Sequence, residues 1–265
     1  MTPNVVFIGA GNVASHLAPA IEQSGSGNII QVYSPTFSHA SELASSLKCA
    51  EAISDLAQIN RNANIYIVSI KDDSIAPLVD SLAKDLQGGA LWMHTSGSVP
   101  MDVFSPLTSR YGVYYPMQTF SKNAPLNMSE VPLFVEGNSE EVECEIREFA
   151  KKTFANVYHA DSELRRKMHV AAVFSCNFTN YMWVIADELL SKEGLGFDVM
   201  RPLVEETMRK AFTVSPRYGQ TGPAVRGDVN IMEYHKSTLP EREREIYDML
   251  SFKIYEQFSA LKNSN

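Results

Sequence analysis

The residues nearest the N-terminus that could do chemistry are small and closely spaced. The stretch "VVFIGAGNVASHL" places Gly9, Gly11 and Ala14 in the pattern GxGxxG/A, directly after an apolar run. In this pattern the first glycine makes a tight turn, the second lets the backbone approach a pyrophosphate, and the third small residue allows close helix packing. A plain strand-to-helix turn could also use glycines, but the position at the head of a βαβ unit favours a dinucleotide site. The predicted cofactor-binding residues of this turn are Gly9, Ala10, Gly11, Asn12 and Val13.

The end of the second predicted strand indicates which dinucleotide fits. An NAD site places an acidic residue about 20 residues beyond the glycine motif, where it binds the ribose 2′-hydroxyl. Here no Asp or Glu occurs between Glu22 and Glu42, whereas Ser34, Thr36 and His39 offer hydroxyl groups and one potential cation. NADP is therefore preferred, and NAD is the alternative because the Arg that usually binds the 2′-phosphate is absent. Ser34 and Thr36 are predicted cofactor contacts, unless the segment is only a polar surface turn.

A later loop, "VSIKDDSI", follows another predicted strand at the carboxyl edge of the sheet. Doubly wound folds bind their ligands at this edge. Ser69 and Lys71 are therefore predicted to border the nicotinamide ribose. The alternative is that Asp73 and Ser74 make the segment a simple helix start.

The loop "WMHTSGSVP" carries the polar groups that best suit a small substrate. His94 and Ser96 are predicted catalytic residues, and Thr95 and Gly97 are predicted to line the substrate cleft. An imidazole can exchange a proton, hydroxyl groups can orient a polar substrate, and glycine permits an unusual backbone conformation. A capped turn into the next helix is the alternative. The stretch "YYPMQTF" adds Gln118 as a further cleft residue.

A polar seam is predicted along an otherwise apolar helix in the second half of the chain. Residues 162–193 contain neither Gly nor Pro, so one helix of about eight turns is expected. At about 100° per residue, His169 and Asn180 share one side of this helix, and Asn177 lies roughly 80° away. If the seam faces a cleft, His169 is a general acid and Asn177 orients the substrate. If it is a solvated stripe, Arg165 continues it toward the N-terminus.

The octapeptide "TGPAVRGD", residues 221–228, interrupts this helical half. Arg226 and Asp228 are predicted cleft residues, because a guanidinium can hold a carboxylate or phosphate in a bidentate geometry. The alternative is a structural turn, in which the two side chains pair with each other or Asp228 caps the helix that begins near Asn230.

The elements that must position these residues follow from hydrophobic periodicity. Short β-rich runs alternate with amphipathic stretches over residues 1–160, which is typical of a doubly wound, mainly parallel Rossmann sheet. Residues 161–265 are predicted to form an all-α domain for substrate binding and dimerisation. The fold class is therefore α/β followed by an all-α C-terminal domain. The predicted strands are Val5–Ile8, Ile29–Tyr33, Ile65–Ile70, Ala90–His94, Gly112–Tyr115, Leu133–Glu136 and Asn156–His159.

Composition and charge argue against several classes of protein. The formal net charge of −8 without a basic block opposes nucleic-acid binding. Three widely spaced cysteines suit reduced thiols, and no His/Cys cluster predicts a metal site. No apolar run approaches the roughly 18 residues that a membrane span requires. Because no basic, apolar leader precedes the first strand, a cytoplasmic protein is expected.

Several motifs together carry a resemblance over nearly the whole chain. The glycine fingerprint, "HTSGSVP", "YYPMQTF", "MHVAAVFSCNF" and "TGPAVRGD" resemble a bacterial Rossmann-like oxidoreductase family with a C-terminal helical domain of unknown function. That family is similar in architecture to pyrroline-5-carboxylate reductases, to 6-phosphogluconate dehydrogenase-like enzymes and to deazaflavin-dependent NADP oxidoreductases. The resemblance implies NADP-type binding, an interdomain cleft and a homodimer formed through the helical domain. The chain departs from the related β-hydroxyacid dehydrogenases, because Val173 stands one helical turn before Asn177 where those enzymes have a lysine.

Two hypotheses about function follow from these residues. The first is an NADP-preferring oxidoreductase that acts on a C=O or C=N group of a small metabolite. The second is a sensor or regulatory protein that binds the dinucleotide without turnover, which the missing lysine and the missing 2′-phosphate Arg both permit.

Overall fold

The computed structural model describes residues 2–83, 88–122 and 124–262, and its first half is built on an eight-stranded sheet. The strand order is β3-β2-β1-β4-β5-β6-β7-β8, and neighbouring strands are parallel except for the antiparallel pair β6 and β7. The doubly wound, mainly parallel sheet is therefore confirmed. The strands are β1 (Asn4–Ile8), β2 (Asn28–Tyr33), β3 (Glu51–Ile53), β4 (Ile65–Val68), β5 (Leu91–His94), β6 (Tyr111–Pro116), β7 (Leu133–Gly137) and β8 (Val157–His159).

All seven predicted strands form, and one further strand was missed. That strand, Glu51–Ile53, has three residues and occupies the edge of the sheet beside β2. A run so short has no period that could distinguish it from a loop.

In the described part of the chain, four helices accompany the sheet and seven follow it. They are α1 (Asn12–Gln23), α2 (Phe37–Ser45), α3 (Ile75–Leu82), α4 (Glu140–Ala150), α5 (Ser162–Ala172), α6 (Thr179–Lys192), α7 (Arg201–Thr213), α8 (Pro216–Gly219), α9 (Pro223–Arg226), α10 (Val229–Thr238) and α11 (Glu241–Lys262). None of the helices in the described part of the chain combines the length and the apolar character needed to cross a lipid bilayer.

The sheet is buried on both faces, as near-continuous apolar strands require. On one face, Val5 and Phe7 pack with Leu17 of α1. On the other face, Val6 and Ile8 belong to an apolar cluster that includes Ile75 and Val79 of α3. The strands therefore hold the loops at their carboxyl ends on a rigid base.

The long predicted helix is present, but one segment of it is wound differently. A π-helix, Val173–Phe178, joins α5 to α6. A π-turn takes more residues than an α-turn, so a constant 100° per residue does not apply across it. The predicted alignment of His169 with Asn180, which assumed that constant angle, is therefore wrong.

The chain divides into two compact units, Met1–Cys176 and Asn177–Asn265. The domain boundary that the sequence predicts after residue 160 stays a prediction. Helix α5 lies in the first unit, where Arg165 is completely buried.

Candidate functional site

The glycine-rich turn connects β1 to α1 and approaches the loop after β4. Gly9 has φ +115°, and a Cβ built on it would lie 2.1 Å from the backbone oxygen of Ser69. The Ser69 N–H in turn donates to the Ile8 oxygen at 2.7 Å. The chain therefore needs glycine at position 9 for both its conformation and its space.

Gly11 occupies the N-cap position of α1 and faces open space. A Cβ built on Gly11 would meet no protein atom within 4 Å among the described residues. Ala14, the third residue of the motif, is completely buried. Gly11 and Asn12 at the start of α1 are thus exposed with open space beside Gly11, which is what a pyrophosphate bound at a helix N-terminus needs.

Ser34 and Thr36, the predicted cofactor contacts, follow β2. Ser34 is buried, its N–H donates to the Ile53 oxygen at 3.1 Å, and its Oγ accepts from the Thr36 N–H at 3.3 Å. Thr36 occupies the N-cap position of α2. The end of β2 therefore offers hydroxyl groups on an ordered turn.

The loops after β4 and β5 meet beside the glycine turn. The Thr95 Oγ1 donates to the Ser69 Oγ at 3.2 Å. Lys71 is exposed and precedes a short 3-10 turn, Asp72–Ser74, that leads into α3. The structure thus brings Ser69 and Thr95 together and leaves the Lys71 side chain in solvent.

His94 is completely buried and carries no charge near neutral pH. Burial, followed by the positive charge of Arg165, lowers the pKa of His94 to about 3. The Ser96 N–H donates to its Nδ1 at 3.2 Å, and the ring packs against Phe104. These contacts favour a structural role for His94 over the predicted role as an acid.

Ser96 caps the turn that follows. Its Oγ accepts from the N–H groups of Ser98 and Val99, at 3.0 Å each. This is the capped turn that the sequence left open as the alternative.

A hydrogen-bonded pair, Tyr115 and His169, lies against Gly97. The Tyr115 hydroxyl is 3.0 Å from the Nδ1 of His169, and a Cβ on Gly97 would lie 2.8 Å from that same nitrogen. Burial raises the pKa of Tyr115, while the charge of Arg165 partly offsets this, so the phenol keeps its proton near neutral pH. The Tyr115 hydroxyl and the His169 Nδ1 therefore share one hydrogen bond, whose donor depends on the protonation of the ring, and Nε2 is the ring nitrogen that can face a substrate.

Tyr115 was not predicted from the sequence, although a signal was present. Successive residues in a strand point to opposite faces, and Tyr114 is completely buried in the apolar core. The next residue therefore points away from that core, near the end of β6. A tyrosine at that place is a candidate for hydrogen bonding.

A buried ion pair between Arg165 and Glu136 holds the start of the helix that carries His169. The Arg165 Nη1 lies 2.6 Å from a carboxylate oxygen of Glu136, and its Nη2 donates to the Val99 oxygen at 2.7 Å. The Ser162 N–H and Oγ also donate to Glu136. Arg165 thus joins the loop after β5, strand β7 and the start of α5, one turn before His169. The alternative that Arg165 continues a solvated stripe is wrong.

The remaining predicted residues have surroundings of their own. Gln118 is exposed, and its Oε1 accepts from the neighbouring Thr119 N–H. Asn177 is exposed in the π-helix and belongs to the second unit. Arg226 and Asp228 pair with each other at 2.7 Å, and Gly227 between them has φ +77°. That arrangement is the one expected of a structural turn.

Two family models match the sequence. Residues 3–117 match a Rossmann-like domain, and residues 131–254 match a domain of unknown function, DUF2520. A comparison with curated proteins finds no match.

Solved structures extend the comparison over the whole length. A Bacteroides fragilis protein named a "putative NADP oxidoreductase" is 44% identical, with a TM-score of 0.91, and the match covers 96% of this chain and 98% of that one. An imine reductase from Myxococcus stipitatus in complex with NADP+ is 15% identical, with a TM-score of 0.67, over 99% of this chain and 95% of that one. A pyrroline-5-carboxylate reductase from Coxiella burnetii is 15% identical, with a TM-score of 0.55, over 98% and 99%. The last two show a shared fold.

Proposed function

We propose that this chain, which belongs to the family that joins a Rossmann-like domain to a DUF2520 domain, is an NAD(P)-dependent oxidoreductase. It prefers NADP and acts on a C=O or C=N group of a small metabolite. The observation that carries the proposal is the glycine turn, where Gly9 closes against Ser69 and Gly11 leaves the start of α1 open. The relative named an NADP oxidoreductase supports the same cofactor.

The residues of the first unit fit a nicotinamide dinucleotide. The free N–H groups at the start of α1 would bind the pyrophosphate, and the hydroxyl groups of Ser34 and Thr36 would face the adenosine ribose. Ser69 and Thr95 would border the nicotinamide ribose. When bound, the nicotinamide supplies or accepts the hydride, so the protein itself must provide position and a proton.

His169 is the proposed proton donor, and Tyr115 positions it. The protonated ring would donate from Nδ1 to the Tyr115 oxygen and give its Nε2 proton to a substrate oxygen or nitrogen. His169 takes the role predicted for His94, because the lowered pKa keeps the His94 ring uncharged and a poor acid near neutral pH. The related reductases act on imines or on pyrroline-5-carboxylate by name, which supports a C=N substrate class.

Titration of the protein with NADPH and with NADH in a calorimeter tests the cofactor proposal. We expect both to bind at sub-millimolar concentration and NADPH to bind more tightly. If neither binds in that range, the proposal is lost. Oxidation of NADPH in the presence of small carbonyl compounds and cyclic imines then separates an enzyme from a sensor that binds without turnover.

Substitution of the hydrogen-bonded pair tests the proton donor. We expect His169→Ala to lower kcat about 100-fold or more, because a positioned acid contributes that much, and to leave NADPH affinity unchanged. Tyr115→Phe should lower kcat less and shift its pH profile, since it removes only the group that fixes the ring. His159→Ala is the matched control, because His159 is an exposed histidine paired with Glu143. Wild-type kcat in His169→Ala would remove His169 from the mechanism.

We also propose that the protein is a homodimer that pairs through its helical unit. Among the described side chains of that unit, only Ala224 is buried. Large apolar side chains are exposed instead, among them Leu203, Met208, Phe212, Tyr218 and Phe252. So much exposed apolar surface marks a place where protein binds. Light scattering should report twice the mass of one chain, and a monomer at micromolar concentration would contradict the proposal.

A further inference from the structure

The segment that follows β6 lies against the start of α1. The Asn12 Nδ2 donates to the Phe120 oxygen at 3.1 Å, and the His16 Nε2 lies 2.9 Å from the Ser121 oxygen. The His16 ring also packs against the Phe120 ring. Two successive turns of α1 thus hold this segment in place next to the glycine turn.

The next residue, Lys122, reaches from this segment to α2. Its Nζ lies 2.6 Å from a carboxylate oxygen of Glu42, and their side chains are 32% and 59% exposed. The hydrogen bond and charge of Lys122 lower the pKa of Glu42, and His39 adds a weaker effect in the same direction. A cation is therefore held beside α2, the helix that follows β2.

This placement supplies what the sequence around β2 lacks. Residues 34–41 contain no Lys and no Arg, although the 2′-phosphate of an NADP site is bound after the second strand of the motif. Ser34 and Thr36 offer hydroxyl groups there but no full positive charge. Apart from the potential cation His39, a Lys or Arg for the phosphate would therefore come from elsewhere in the chain.

We propose that Lys122 binds the 2′-phosphate of NADP and exchanges its partner Glu42 for the phosphate. The inference rests on the proposed function and deepens it, because it names the residue that distinguishes the two dinucleotides. An ion pair between a lysine and a solvent-exposed carboxylate is weak and opens at little cost in free energy. A phosphate monoester carries nearly two negative charges and accepts stronger hydrogen bonds than one carboxylate does.

Glu42 has its own part in this exchange. While it holds Lys122, its charge offsets the cation, and without Lys122 its carboxylate faces the phosphate alone. Like charges repel, so the loss of Lys122 removes an attraction and exposes a repulsion. NADH has no phosphate at this place, so its binding is independent of both residues.

The experiment titrates NADPH and NADH into the full chain and into three variants at one ionic strength. Lys122→Ala should weaken NADPH binding about tenfold to a hundredfold and leave NADH unchanged. Glu42→Gln should strengthen NADPH binding severalfold, because it frees Lys122. Lys151→Ala is the control, since Lys151 pairs with an exposed Glu148 on α4 and should change neither affinity.

A second probe isolates the phosphate from the rest of the dinucleotide. The fragment 2′,5′-ADP should lose affinity in Lys122→Ala, whereas 5′-AMP, which lacks the 2′-phosphate, should not. If Lys122→Ala weakens NADPH and NADH equally, or weakens neither, Lys122 does not bind the phosphate and the inference is overturned. Failure of the proposed function looks different, because the wild-type protein would then bind neither dinucleotide.

Discussion

Gly11→Ala is expected to lower the affinity for NADPH about tenfold or more and to leave the free energy of unfolding close to that of the wild type. The new methyl group meets no protein atom within 4 Å among the described residues, so the fold has room for it. The same group stands at the start of α1, where the backbone must approach the pyrophosphate. Calorimetry measures the affinity, and chemical denaturation measures the stability.

Gly9→Ala is the matched variant, and we expect it to lower the free energy of unfolding. Its methyl group would lie 2.1 Å from the Ser69 oxygen, in a backbone with φ +115°. Strain and overpacking of this kind should cost about 2 kcal/mol or more of stability. If Gly11→Ala unfolds as readily as Gly9→Ala, or binds NADPH like the wild type, the turn does not hold the pyrophosphate.

The sequence predicted those parts of the molecule that depend on local rules. The glycine spacing located the turn between β1 and α1, because only a few residue types allow that backbone. Alternation of apolar runs located seven strands, since strands covered on both faces must be apolar along their length. Ser69 and Thr95 could be placed at one edge because parallel strands end together there.

The parts that the sequence missed depend on contacts between distant residues. His94 and Arg165 were both interpreted from their chemistry, the first as an acid and the second, in one alternative, as a solvated charge. Burial reverses both interpretations: it lowers the pKa of His94, and it makes Arg165 a structural cation. A charged residue can be buried only where a partner compensates its charge. For Arg165 that partner is Glu136, which lies 29 positions away in the sequence. The spacing within α5 alone could not show that partner.

Arg165→Met is expected to be among the most destabilising single substitutions in the sheet-containing unit. It would leave the Glu136 carboxylate buried without its cation, and loss of one partner of a buried pair costs about 3 to 5 kcal/mol. It would also remove the hydrogen bond from Nη2 to Val99, which ties the loop after β5 to α5. Chemical denaturation at neutral pH measures the loss.

The double variant Arg165→Met, Glu136→Gln separates the charge from the packing. A neutral amide at position 136 no longer pays the cost of a buried, unpaired carboxylate, so the double variant should be more stable than Arg165→Met alone. Arg209→Met is the surface control, because Arg209 and Glu206 form an exposed pair whose loss should change stability little. If Arg165→Met is as mild as that control, the ion pair does not hold the loop and α5 together. The position of His169, one turn further along α5, would then need another support.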